Sequence, residues 1–174
     1  MFKKIKNIAL KTDRLLYKQF GSDRSTKPLE NIKEAKIIFS HLNDVGKESA
    51  VRFVGGCVRK SICGENIDDI DLATSLEPDE VKKRLHREDI KVVDTGISHG
   101  TVTAVLNKKK FEITTLRKDI STDGRHAKVE YSKDWLEDAS RRDFTINAIY
   151  SDIDGNLFDP VSYTHLTLPT ICSV

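Results

Sequence analysis

Two aspartates inside an otherwise apolar run constrain this chain more than any other feature. In Asp69-Ile70-Asp71-Leu72-Ala73-Thr74 the pattern predicts a strand, on which residues two apart emerge on the same face. Aspartate is a poor strand former, and two converging carboxylates repel each other unless a cation joins them. The pair is therefore either a polar strand end at the surface or half of a cation site. The stretch upstream narrows the fold. Val51-Arg52-Phe53-Val54 reads as another short strand, ends in Gly55-Gly56, and leads into a short helix from Cys57. Strands interleaved with helices imply an α/β domain with a mixed β-sheet flanked by helices.

Periodicity fills in the rest. Ile32, Ala35, Ile38, Phe39 and Leu42 recur at helical spacing and predict a helix over 29–42. Residues 78–86 predict another, with Pro78 in the first turn and Glu77, Asp79 and Glu80 at its positive end. Residues 91–93, 101–106 and 111–116 alternate as strands, the last two joined by a polar turn at 107–110. Residues 134–142 read as a helix, and 146–150 and 157–158 as strands flanking the hairpin signal Asp154-Gly155. Between 120 and 133 the chain is polar and contains Asp123-Gly124, so a mobile loop is expected. Residues 1–20 place Ile5, Ile8, Leu15 and Leu16 on one side of a potential amphipathic helix, and 21–28 read as a linker. The domain plan is a basic arm over 1–27, a folded domain over 28–160, and a tail over 161–174. That tail has no Asp, Glu, Lys or Arg and reads as irregular and foreign to the domain.

Glu112 sharpens the cation reading. It lies between Phe111 and Ile113 on a hairpin strand that can sit beside the aspartate strand. Three carboxylates from two neighbouring strands can hold two Mg²⁺ ions, one at an attacking hydroxyl and one at nucleotide phosphates; the plain alternative is a surface glutamate in alternation. Gly55-Gly56 before a helix start lets backbone N–H groups approach a phosphate, and Arg59, one turn on, can add a charge-assisted bond. Alone, the glycines would be an ordinary tight turn. In Arg141-Arg142-Asp143-Phe144-Thr145-Ile146-Asn147-Ala148 the arginines suit the negative end of a helix. The functional alternative puts Arg142 on a triphosphate, with Asp143 and Asn147 near the ribose.

Taken in order, Val54-Gly55-Gly56-Cys57-Val58-Arg59, the Asp69 strand, Phe111-Glu112-Ile113-Thr114-Thr115-Leu116-Arg117, Asp123-Gly124-Arg125-His126 and the Arg141 segment resemble the head of class II CCA-adding enzymes and bacterial poly(A) polymerases. These belong to the polymerase-β-like nucleotidyltransferase superfamily. Each motif is weak alone; their order is specific, and it spans about 51–160. The resemblance implies that Asp69, Asp71 and Glu112 are the catalytic carboxylates and Mg²⁺ ligands, and that Gly56, Arg59 and Arg142 meet the incoming triphosphate. It implies that 120–133 form the loop that helps the family switch to adding A. The reaction implied is attack of a tRNA 3′-hydroxyl on the α-phosphate of CTP or ATP, releasing pyrophosphate. The chain departs from the family at Lys60, where an aspartate is usual. It also lacks, after Asp159-Pro160, the Glu-Asp-x-x-Arg motif that reads the nucleotide base and the helical body that grips tRNA. A truncated catalytic head is therefore expected.

Bulk charge is uninformative at +2, but Lys3, Lys4, Lys6, Lys11, Arg14, Lys18 and Arg24 face only Asp13 and Asp23 within residues 1–24. Such an arm either touches RNA phosphates or is simply solvated. Cys57, Cys63 and Cys172 have neither zinc spacing nor an even count, which favours a reducing, cytoplasmic setting. No run is long and apolar enough for a membrane span. Two other readings stay open: a poly(A) polymerase head, which shares every motif above, and a non-catalytic α/β fragment binding RNA through the arm. A glycosyltransferase using Asp-x-Asp is disfavoured by Gly55-Gly56 with Arg59 and Arg142.

Overall fold

The apolar alternation read above closes into one seven-stranded mixed sheet. The computed structural model describes residues 27–86, 90–96, 100–123, 126–142 and 147–161. The arm, the linker apart from its last two residues, and the tail beyond Val161 lie outside them. In chain order the elements are α1 (Lys27–Glu30), α2 (Lys33–Leu42), β1 (Val51–Val54), α3 (Gly56–Cys63), β2 (Ile70–Thr74), α4 (Pro78–Leu85), β3 (Lys91–Gly96), β4 (Thr101–Leu106), β5 (Lys109–Thr115), β6 (Arg117–Asp123), β7 (His126–Tyr131), α5 (Trp135–Ser140), β8 (Tyr150–Ser151) and β9 (Leu157–Phe158). The large sheet runs β3-β4-β5-β2-β1-β8-β9, and β6-β7 form a separate ribbon. Among the described residues only β2 and β5 pair in parallel; the other neighbours are antiparallel.

The two sheet faces have different owners. Phe53, Ile70, Leu72, Val102, Ala104, Phe111 and Ile113 point to one face and pack with Ala35, Ile38, Phe39 and Leu42 of α2 and Val81 and Leu85 of α4. The Phe39 and Phe53 rings lie 4.8 Å apart, centroid to centroid. The opposite face carries Asp71 and Ala73 on β2 and Glu112 on β5. It is covered in part by a smaller cluster of Val54, Ala73, Leu116, Ala139, Ala148 and Tyr150, with Trp135 and Phe158 against it. This second cluster leaves the carboxylate end of the sheet open.

Several expectations change in detail. The helix over 29–42 is split, because Ile32 takes an extended conformation (φ −79°, ψ 99°) before α2; Leu29 is buried all the same. The turn at 107–110 is tighter than expected: Leu106 pairs with Lys109, leaving Asn107 and Lys108 at φ 50° and 69°, the positive pair a two-residue hairpin needs. The stretch 120–133, expected as a mobile loop, is mostly β-ribbon, with Asp119 opposite Val129 and Asp123 opposite His126. The strand expected over 146–150 shrinks to Tyr150–Ser151, because Asn147 sits in a 3₁₀ turn. Cys57 is a free buried thiol, and Cys172 lies outside the described residues. Among the described residues, no helix is long and apolar enough to cross a membrane.

Candidate functional site

The parallel pairing of β2 with β5 decides the site. Its register sets Asp71 directly beside Glu112, flanked by Ile70 with Phe111 and Leu72 with Ile113. The flanking apolar pairs are buried in the main core, so the two carboxylates must emerge together on the opposite face. Asp71 is half-buried and Glu112 exposed; Asp69 is exposed one residue before β2 begins. Burial, then repulsion from Glu112 and from Asp69, pushes the Asp71 carboxyl above its ordinary pKa, and Arg142 pulls it back in part. Four groups from three segments thus share one electrostatic neighbourhood.

The glycine turn meets this cluster from the β1 side. Phe53 pairs with Leu72, so the end of β1 lies level with Asp71, and Cys57 Sγ reaches the Asp71 carbonyl at 3.5 Å. Gly55 caps α3 at φ 74°, ψ −135° and, being glycine, offers the helix's first N–H groups no side-chain cap of its own. Those donors and the positive helix end favour an anion. A Cβ added at Gly55 or Gly56 would meet nothing within 4 Å: the space over the turn is open, and at Gly55 the backbone itself demands glycine. Arg59 projects from the next turn, its Nε buried without a hydrogen-bond partner among the described residues. Lys60, the departure from the family, pairs with Asp68 at 3.1 Å and so braces the approach to Asp69.

Arg142 follows a different logic from the one its sequence suggests. Its Nε and Nη2 bind Asp138 Oδ2 at 3.1 and 2.9 Å, and its Nη1 donates to the Asn147 carbonyl at 3.5 Å. Arg141 binds the other oxygen of Asp138 at 3.0 and 2.7 Å. Burial would raise the Asp138 carboxyl, but the two guanidiniums outweigh it and hold the group below its usual range. The reading of two arginines at a helix end is thus correct in placement and incomplete in cause. Asp138 and Tyr150, whose hydroxyl donates to Asp138 at 2.8 Å, were missed. The available signal was an acid three and four residues before the arginines on a predicted helix. Asp143 lies outside the described residues; Asn147 enters through its backbone.

Among the described residues, no group of three or more His, Cys, Asp or Glu is arranged to hold a metal ion by itself. The Asp69, Asp71 and Glu112 cluster is open and all-oxygen. Such a set fits Mg²⁺, which keeps waters and completes its shell with substrate phosphate rather than sitting in a protein cage. The mutual repulsion at Asp71 is the strain a divalent cation would relieve.

Comparison with known proteins gives a consistent set. The poly(A) polymerase head-domain family pattern matches residues 51–165. The human mitochondrial CCA tRNA nucleotidyltransferase 1 is 46% identical over 116 residues, covering 66% of this chain and 27% of that protein. The crystal structure of the Bacillus stearothermophilus CCA-adding enzyme in complex with CTP is similar at TM-score 0.61 and 38% identity, over 74% of this chain and 29% of that one. A tRNA nucleotidyltransferase complexed with a primer tRNA and an incoming ATP analog is similar at TM-score 0.52 and 28% identity, over 66% of this chain and 32% of that one. The chain therefore spans about a third or less of the length of these relatives.

Proposed function

The chain belongs to the poly(A) polymerase head-domain family, and on that premise we propose that it is the catalytic head of a template-independent RNA nucleotidyltransferase that adds CMP and AMP from CTP and ATP to the 3′ end of tRNA. One observation carries the reading: the β2–β5 register joins Asp71 to Glu112 on an open face, beside the N-terminus of α3. A hydroxyl nucleophile, a cation and a polyphosphate can be brought together there. The names of the relatives, in complexes with CTP and with tRNA, favour CCA addition over poly(A) addition.

In this proposal residues 28–160 form the head. The N–H groups at Gly55-Gly56 and the Arg59 and Arg142 guanidiniums bind the triphosphate, fixing its α-phosphate over β2. Asp143 and Asn147 lie at the ribose. Asp69, Asp71 and Glu112 would hold Mg²⁺, which supplies Lewis acidity at the α-phosphate and the leaving pyrophosphate. Glu112 is exposed where its neighbour Asp71 is half-buried, which makes it the more accessible of the two to an RNA 3′-hydroxyl. The proposed setting is the cytoplasm, where tRNA substrate and nucleotides meet.

The test is Mg²⁺-dependent incorporation of labelled CTP, and separately ATP, onto tRNA lacking its 3′ CCA. This chain is run beside a version extended with a family member's neck and body. The extended form should add CCA, and Asp71→Ala should abolish addition. Long A tracts alone would establish the poly(A) alternative. Transfer that survives Asp71→Ala would defeat the carboxylate assignment.

A further inference from the structure

Asp138 is buried, with 1% of its side chain exposed, and each of its oxygens takes one arginine edge and one further donor. Oδ1 accepts Arg141 and the Arg117 backbone N–H at 3.3 Å; Oδ2 accepts Arg142 and the Tyr150 hydroxyl. A guanidinium has five N–H donors in a fixed plane. Arg142 spends its Nε–Nη2 edge on Asp138 and one Nη1 hydrogen on the Asn147 carbonyl. The remaining N–H of each terminal nitrogen has no further carboxylate or carbonyl partner among the described residues, and such an end-on pair can bind two phosphate oxygens at once. Asp138 grips one edge of the plane, and the Tyr150 ring lies 5.6 Å from its carbon. The same cation acts on Asp71, which puts the guanidinium within electrostatic reach of the carboxylates.

We propose that Asp138 is a positioning residue for nucleotide binding: it holds Arg142 edge-on so that the opposite, end-on fork is presented to the triphosphate. The inference rests on the nucleotide-site reading above. Asp138 touches no substrate itself and acts through Arg142, while its bonds to Arg141 and the Arg117 N–H anchor that clamp to α5 and the start of β6. A lysine at 142 would keep the charge and lose the geometry.

The experiment measures Mg·CTP affinity of this chain by calorimetry, with melting curves alongside, for wild type, Asp138→Asn, Arg142→Lys, their double variant and Tyr150→Phe. Asp138→Asn and Arg142→Lys should each weaken binding about tenfold or more, the scale of a lost charged hydrogen bond. The double variant should be no weaker than Arg142→Lys, since Asp138 acts only through Arg142. Tyr150→Phe keeps the ring and both arginine bonds of Asp138 and loses only the hydroxyl bond, so it should lower the melting temperature and weaken binding less than Asp138→Asn. Unchanged affinity in Asp138→Asn overturns the inference, as does an equal further loss in the Arg142→Lys background or a loss in Tyr150→Phe as large as that in Asp138→Asn. If Asp138→Asn does not fold, the wild type decides by NMR: a slowly exchanging, single Arg142 Nε–H signal is expected, and exchange as fast as a free arginine's overturns the inference. Wild-type protein that binds no CTP defeats the nucleotide site, and this inference falls with it.

Discussion

Asp71 sits where function and stability disagree. Without a cation it is half-buried, faces Glu112 and lies near Asp69, so its carboxyl binds protons more readily folded than unfolded. For such a group the folded state holds more protons from the ordinary aspartate value of 3.8 up to the raised one. Stability therefore falls as pH rises through that window, and the deficit persists above it. Asp71→Asn removes the charge and its penalty. In metal-free buffer at pH 7 the variant should melt roughly 1–4 °C higher than wild type. Below the ordinary aspartate pKa the two should melt together, and added Mg²⁺ should stabilise wild type more than the variant. A variant that melts lower at pH 7 would mean that Asp71 is held by favourable contacts, contrary to the repulsion described. Asp71 is legible in the sequence because strand alternation sets it opposite the buried Ile70 and Leu72, whereas Asp69, expected on the same strand, precedes β2. Asp138 is not legible, because an acid three or four residues before an arginine on a helix looks the same whether it is solvated or sealed in a core.

At the scale of elements, Asp-Gly occurs twice in the sequence, in stretches of different character. Asp154-Gly155 was taken as a hairpin and does join β8 to β9, with Gly155 at φ 81°. Asp123-Gly124 lay in a stretch too polar to show an apolar face, so the ribbon β6-β7 was taken for a loop. A ribbon outside the main sheet needs no apolar alternation, and its pairing is set by register rather than burial. Its base is fixed by a close approach: a Cβ at Gly100, where φ is +75°, would stand 2.8 Å from Cε1 of Tyr131. The Thr115 N–H to Gly100 carbonyl and Ser132 N–H to Leu116 carbonyl bonds tie the same corner. Gly100→Ala should destabilise the domain by about 1–3 kcal/mol, through positive-φ strain and displacement of Tyr131. Tyr131→Ala should be mild, since the ring is 40% exposed. In the Tyr131→Ala background Gly100→Ala should cost less, because only the backbone term remains. Strict additivity in a urea-denaturation cycle would show that the ring does not rest on the glycine.

Across the whole molecule, one sheet does two jobs on its two faces, and the strands couple them. β5 buries Phe111 and Ile113 against the helices while offering Glu112 to the open side. The helical and strand periods announced the buried face. They could not announce which neighbours β2 would take, because the parallel β2–β5 pairing joins segments separated by a helix and two other strands. Core and site should nonetheless be separable by experiment. Phe111 is fully buried, and Phe111→Ala removes a ring from a packed interior at a cost of about 3–5 kcal/mol. For a chain of this size that lowers the melting temperature by on the order of 10 °C. The β2–β5 register is held by backbone bonds and by Ile70, Leu72 and Ile113, which the variant keeps. Well below its melting point, the variant should therefore bind Mg·CTP within about threefold of wild type, because the Phe111 ring points away from the site face. Lost affinity in a protein whose circular dichroism is unchanged would mean that the core sets the spacing of Asp71 and Glu112, and that the two faces of the sheet are one cooperative device.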